Sequence, residues 1–181
     1  MDTNQHSNPG SAGPRIFLLG FMGTGKSHWG KQWAGLHNMS FFDLDELIEK
    51  AEEDTVANIF EKAGEEYFRV KEASILRDLD KHQNCIISCG GGAPCFHDNM
   101  KWMNANGITI YLSASPTYIL ENVLEEKEKR PIIKNINEAE LLFFIEQKLK
   151  ERTAFYNEAK MTLDAETLEP NSLNGILSSA K

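Results

Sequence analysis

The segment Gly20-Phe21-Met22-Gly23-Thr24-Gly25-Lys26-Ser27 fits the pattern G-x-x-x-x-G-K-[ST], and no other stretch constrains the fold of this chain as strongly. Such a loop functions in one setting. A strand delivers it to the edge of a sheet and a helix starts at its end. Backbone N–H groups and the positive end of the helix then converge on phosphate oxygens. Both neighbours are legible here. Arg15-Ile16-Phe17-Leu18-Leu19 is a short apolar run that reads as a buried strand, and residues 27–37 read as a helix. Lys26 would reach the outer phosphates and the Ser27 hydroxyl would bind Mg²⁺. The pattern in this context predicts a nucleoside triphosphate ligand; the alternative is a Gly-rich turn that binds nothing.

Downstream, short apolar runs alternate with longer amphipathic stretches. Strands are expected at 39–43, 85–88, 108–112 and, more weakly, 161–163. Helices are expected at 55–62, ended by Gly64, and at 65–79, where Phe68, Glu72, Ile75, Leu76 and Leu79 recur at the spacing of a largely apolar stripe. Further helices are expected at 116–126, with Pro116 in the first turn, and at 137–159. Strands alternating with helices predict an α/β fold with parallel pairing and helices on both faces. With 181 residues and 41% hydrophobic content, the chain suits one domain over 15–181. Residues 1–14, polar and rich in Gly, Ser, Asn and Pro, read as a flexible leader.

The composition excludes several classes. The formal net charge of −8 argues against binding nucleic acid backbones, which needs a basic face. No run approaches 18 consecutive apolar residues, so no membrane partner is expected. Three cysteines without a secretory signal fit reduced thiols and a cytoplasmic location. Cys85, Cys89 and Cys95 lack a C-x-x-C pair, and His97 does not complete a zinc set, so they read as inert thiols. Trp29, Trp33, Phe143 and Phe144 read as core or packing residues; Tyr67 and Phe68 read as core or as pocket lining.

The acids decide which kind of phosphate-loop protein this is. The 85–88 strand ends in Ser and glycines, with no acid to hold a Mg²⁺ shell, and no guanine-reading N-K-x-D pattern occurs. Acids instead end the strand after the first helix, at Asp43 and Asp45. On an extended segment i and i+2 point the same way, so both carboxylates could face the phosphates, one toward the metal and one toward an acceptor hydroxyl. Alternatively, Asp43 is a turn residue and Asp45 caps the next helix. Gly90-Gly91-Gly92 would let a ligand or a second backbone approach without a Cβ in the way, or would simply make a turn. The chain has 14 lysines but only five arginines. A bidentate grip on carboxylate or phosphate calls for Arg, which singles out Arg69, Arg130 and Arg152 against a surface role; Arg15 and Arg77 read as surface or structural.

In order along the chain stand Gly20–Ser27, Asp43-Leu44-Asp45, Gly64-Glu65-Glu66-Tyr67-Phe68-Arg69 with Glu72, Ser88-Cys89-Gly90-Gly91-Gly92, and Arg130-Pro131-Ile132-Ile133, closed by Arg152-x-x-x-Tyr156. With this ordered set the chain resembles the shikimate kinases. The resemblance implies a three-layer P-loop kinase fold with a central five-stranded parallel sheet and a short mobile lid at about 123–136. It implies an ATP-dependent kinase of aromatic amino-acid biosynthesis that moves the γ-phosphoryl of ATP to the 3-hydroxyl of shikimate, with Mg²⁺ as cofactor and a monomer as the expected state. Carried over by position, Asp45 would hold the acceptor hydroxyl and take its proton. Arg69 and Arg152 would grip the shikimate carboxylate beside Gly90, Gly91 and Gly92. Ser27 and Asp43 would serve Mg²⁺, Asp43 through water. Gly23, Thr24, Gly25, Lys26, Ser27, His28 and Arg130 would hold the nucleotide, with Lys26 and Arg130 stabilising charge on the transferring phosphoryl.

The chain departs from the family pattern in three places. His28 stands where a small hydroxyl residue is common, Val123 and Leu124 stand where a second lid arginine is often found, and the loop around Glu169-Pro170 lacks an arginine. Two competing readings share the phosphate loop: a kinase for another small acceptor, which need not place arginines at 69 and 152, and a nucleotide-binding module without turnover.

Overall fold

The structure is a computed structural model that describes residues 13–125 and 137–179. Five strands, β1 (Arg15–Leu19), β2 (Ser40–Asp43), β3 (Cys85–Ser88), β4 (Ile108–Ser113) and β5 (Met161–Asp164), form one sheet in the order β2-β3-β1-β4-β5, and every pairing is parallel. Helices α1 (Lys26–Leu36), α2 (Leu44–Glu52), α3 (Val56–Asp78), α4 (Asn99–Asn106), α5 (Pro116–Glu125), α6 (Glu138–Tyr156) and α7 (Asn174–Ser179) surround it. The α/β architecture expected from the alternating pattern is therefore present.

β1 lies at the centre of the sheet and shows why its sequence is apolar throughout. Parallel strands covered on both faces bury both sets of side chains. Phe17 and Leu19 pack on one side with Leu44, Ile48, Phe68 and Leu76; Ile16 and Leu18 pack on the other with Trp33, Ala34 and Ile176. A third cluster of Phe21, Ile119, Val123, Leu141 and Ile145 fastens α5 to α6 beside the phosphate loop. Arg15 is buried and structural: its guanidinium donates to the carbonyls of Asp80, His82 and Asn106. The carbonyls of Gly13 and Pro14 accept from the N–H groups of Asn84 and Cys85, carrying the pairing of β1 with β3 two residues upstream.

The break expected at Gly64 is present inside α3, where its φ is 83° and its ψ 170°. Other local expectations are corrected. α2 starts at Leu44, so Asp45 sits in a first helical turn and not on an extended segment. Asp43 is the cap: its carboxylate accepts from the Asp45 N–H at 3.1 Å, a role for which Asp is strongly favoured. Trp33 is fully buried as expected and Trp29 stacks on it, but Phe143 and Phe144 on α6 are exposed. Phe68 belongs to the core, whereas Tyr67 is exposed and donates to Glu52 Oε2. Residues 1–12 of the leader expected at 1–14 and residues 126–136 of the lid expected at 123–136, with Arg130, lie outside the described residues; Gly13 and Pro14 instead bond to Asn84 and Cys85, and Val123 is buried on α5.

Candidate active site

The phosphate loop leaves the carboxyl end of β1, where ligands bind in open parallel sheets. Gly20, Gly23 and Gly25 have φ of 144°, 80° and 83°, which explains why glycine is needed at these three positions. Thr24, buried beneath the loop, donates from Oγ1 to the Phe21 carbonyl at 2.8 Å, and Asn122 on α5 donates to the Gly23 carbonyl at 2.7 Å. Lys26 opens α1, and its ammonium donates to the carbonyls of Gly20 and Phe21 at 2.8 Å each. It is thereby held under the loop, next to the position that outer phosphates would take.

Ser27 Oγ donates to Asp43 Oδ2 at 2.5 Å and lies 3.2 Å from Ser88 Oγ. These oxygens are brought together by register, since Ser88 pairs with Leu18 of β1 and with Asp43 of β2. One cavity of about 340 Å³ is lined by Gly23, Gly25, Lys26, Ser27 and His28 on one side and by Asp43, Asp45, Gly90 and Gly91 on the other. Ser88 and Asn122 also line it, and neither is signalled by the phosphate-loop pattern. The imidazole of His28 lies edge-on to Trp29, with ring centroids 5.3 Å apart.

The far end of the cavity is built around the three glycines. A Cβ at Gly90 would stand 2.9 Å from Asp45 Oδ1 and 2.9 Å from Glu72 Oε1. One at Gly91 would stand 3.3 Å from Arg152 Nη1, and one at Gly92 would overlap the Arg69 guanidinium. The triplet therefore admits four charged side chains from three helices. Tyr156 on α6, fully buried and stacked on Tyr111 at 4.9 Å, donates from its hydroxyl to the Gly91 carbonyl at 2.5 Å. Arg69 Nη1 donates to Glu72 Oε2 at 2.8 Å, while Glu72 Oε1 has no hydrogen-bond partner among the described residues.

Burial governs the electrostatics. Desolvation holds the Asp45 carboxyl above the usual carboxylate range, and the nearby Asp43 charge adds to this, against the lowering pull of Lys26 and Arg69. Desolvation also pushes Glu72 up to about 7, although Arg69 acts in the opposite direction. The thiols of Cys85, Cys89 and Cys95 are all shifted upward by burial, so they stay protonated at neutral pH.

The sequence-derived set thus converges on one place, except for Arg130, which lies outside the described residues. Comparison with known proteins gives the family. The family model described as shikimate kinase matches residues 22–180. The chain belongs to the shikimate kinase family. The shikimate kinase of Parabacteroides distasonis is 43% identical over 154 residues, covering 85% of this chain and 89% of that protein. That of Bacteroides thetaiotaomicron is 41% identical over 155 residues, covering 86% and 89%. A crystal structure of the Bacteroides thetaiotaomicron shikimate kinase superposes with a TM-score of 0.87 at 38% identity, over 91% of this chain and 98% of that one. The Acinetobacter baumannii shikimate kinase, solved in complex with shikimate, superposes with a TM-score of 0.82 at 28% identity, over 93% and 95%. As a member of this family, the chain is a P-loop kinase that uses ATP as co-substrate. No described helix is long and apolar enough to cross a membrane.

Proposed function

We propose that this shikimate kinase carries out its reaction in the cavity between the phosphate loop and the glycine triplet, moving the γ-phosphoryl of ATP to the 3-hydroxyl of shikimate. The observation that carries the assignment of the cavity is the meeting of Asp45, Arg69 and Arg152 around Gly90–Gly92, across from Lys26 and Ser27. Two guanidinium groups and a carboxylate are the complement of a hydroxy acid. The Acinetobacter baumannii relative solved with shikimate supports the same substrate here.

The roles follow from the chemistry of each group. Arg69 and Arg152 would hold the carboxylate of the substrate with charge-assisted hydrogen bonds, worth roughly 1.5–3 kcal/mol each. Asp45 would orient the acceptor hydroxyl and take its proton; burial raises its carboxyl above the usual range, which makes it a better proton acceptor than an exposed carboxylate. Lys26, together with Arg130 from the lid, would stabilise charge on the transferring phosphoryl. The hard oxygen donors of Ser27 and Asp43, 2.5 Å apart, fit Mg²⁺, which keeps several waters and few protein ligands. When bound there, the ion would screen phosphate charge. Gly23, Thr24, Gly25 and His28 would complete the nucleotide site. We further propose a monomer acting in the cytoplasm, with 15–181 as its single domain.

The test is ADP release from ATP and Mg²⁺ with and without shikimate, with mass detection of the product. Strong dependence on shikimate and a product heavier by one phosphoryl group is the expected result. ATP binding without such dependence would sink the assignment.

A further inference from the structure

We propose that Glu65 is an internal competitor for the carboxylate of the substrate: it occupies the edge of Arg69 that a bound acid needs, so it sets the affinity for shikimate and favours anionic over neutral ligands. The inference rests on the reading that Arg69 grips that carboxylate.

The guanidinium of Arg69 is enclosed. Its side chain is 7% exposed, the ring centroids of Phe96, Phe68 and Phe60 lie 4.6, 5.1 and 5.7 Å from Cζ, and Gly92 packs directly against it. Little besides the in-plane N–H donors is left for a ligand. Glu72 takes one of these donors, on Nη1. Glu65 takes two: Nε and Nη2 both donate to its Oε1, at 3.2 and 3.1 Å. Nε and Nη2 form one of the paired edges with which arginine makes a bidentate contact to a carboxylate.

The two glutamates are not equally displaceable. Glu72 is fully buried, whereas the Glu65 side chain is 55% exposed and can swing into water. An exposed ion pair contributes little, so giving it up is cheap. The Glu65 contacts are also long for charge-assisted bonds and use one oxygen for two donors. A free carboxylate can offer one oxygen to each N–H, which is the stronger geometry. A neutral ligand offers no such replacement and leaves the Arg69–Glu65 pair in place.

The backbone puts Glu65 there by a specific device. Gly64 breaks α3 with φ 83° and ψ 170°, and a Cβ at this position would meet nothing within 4 Å. The glycine is therefore needed for its dihedral angles and not for space. The break makes Glu65 the first residue of the second helical segment, four positions before Arg69, where the two side chains face each other.

The experiment is steady-state kinetics of wild type, Glu65→Gln and Glu65→Ala with shikimate, together with inhibition by the neutral methyl ester of shikimate. The expected result is a fall of about 3- to 10-fold in the shikimate KM of both variants, since removing a competing state raises the competent fraction. The change should appear in KM and not in kcat, the ATP KM should stay at the wild-type value, and the ester should inhibit all three proteins equally. An unchanged or raised shikimate KM would overturn the proposal, a rise meaning that Glu65 positions Arg69 instead of competing for it. Equal tightening of acid and ester would overturn it too. Wild type without shikimate turnover would sink the functional reading itself, and that outcome is seen before any variant is compared.

Discussion

Asp43 receives the Ser27 hydroxyl on Oδ2 at 2.5 Å and the Asp45 backbone N–H on Oδ1 at 3.1 Å. One carboxylate thus joins the phosphate loop to the end of β2 and also starts α2. The two duties separate in two variants. Asparagine caps helices about as well as aspartate, so Asp43→Asn keeps the cap and loses the anionic oxygen, while Asp43→Ala loses both. Both should need roughly 10- to 100-fold more Mg²⁺ for half-maximal ADP release, the range seen when groups around a metal are removed. Only the alanine variant should also lose about 1 kcal/mol in urea unfolding. A wild-type Mg²⁺ requirement in Asp43→Asn would take this residue out of the metal site.

Glu72 makes the stability of the protein depend on pH in a defined direction. Its carboxyl is raised from 4.5 to about 7, so between these values the folded state keeps a proton that the unfolded state releases. Stability from this group therefore falls as pH rises from about 4.5 to 7 and levels off above that. Glu72→Gln cannot titrate. The Tm of wild type minus that of Glu72→Gln should drop between pH 5 and pH 7.5 and then stay flat. A difference independent of pH would mean that desolvation does not hold the proton.

Tyr156 is the support of the glycine triplet, through its 2.5 Å hydrogen bond to the Gly91 carbonyl. Burial raises its hydroxyl well above the usual range, so the proton stays available for donation. Tyr156→Phe keeps the stacking on Tyr111 and removes one bond, which should cost about 1 kcal/mol. For a chain of this size that is a Tm decrease of roughly 2–4 °C. The shikimate KM should rise along with it, because Gly91 lies against Arg152. Thermal melts with no shift would show that water replaces the hydroxyl.

What the sequence makes legible here is local. The phosphate loop, the apolar strand before it and the break at Gly64 are each encoded by neighbouring residues, and each is present. α4 shows the opposite case. Its segment, Asn-Met-Lys-Trp-Met-Asn-Ala-Asn, has weak apolar periodicity, and the residue before it, Asp98, offers no capping bond. It is held by distant groups: Asn99 accepts from Arg77 at 2.6 Å and donates to the Ala93 carbonyl at 2.9 Å. Asp43 and Asp45 were legible as site residues but not in their geometry, because a strand and a helix meet between them. For the glycine triplet, the reason for three glycines lies in the side chains of α2, α3 and α6, which no local pattern links to residues 90–92. Ser88 is legible as the start of the glycine motif but its place is not, since only the register of β3 with β1 and β2 sets it beside Ser27 and Asp43.

The triplet gives the most selective test of the site. Gly90 is absent from the residues with positive φ, so its backbone accepts alanine without strain. The added methyl would nevertheless stand 2.9 Å from Asp45 Oδ1 and from Glu72 Oε1. Both atoms end side chains and neither is backbone; Asp45 can turn aside and the buried Glu72 need give only a few tenths of an ångström, so the fold survives. What cannot survive is their position, and displacing a reacting group by about 1 Å costs on the order of 10²-fold in rate. Gly90→Ala should therefore melt within a few degrees of wild type, since replacing Gly where the backbone allows it shifts stability by only about 0.4–1 kcal/mol. It should bind ATP normally and lose on the order of 10²-fold in kcat with shikimate. A variant with near-normal kcat would show that Asp45 does not act from the place where Gly90 lets it stand.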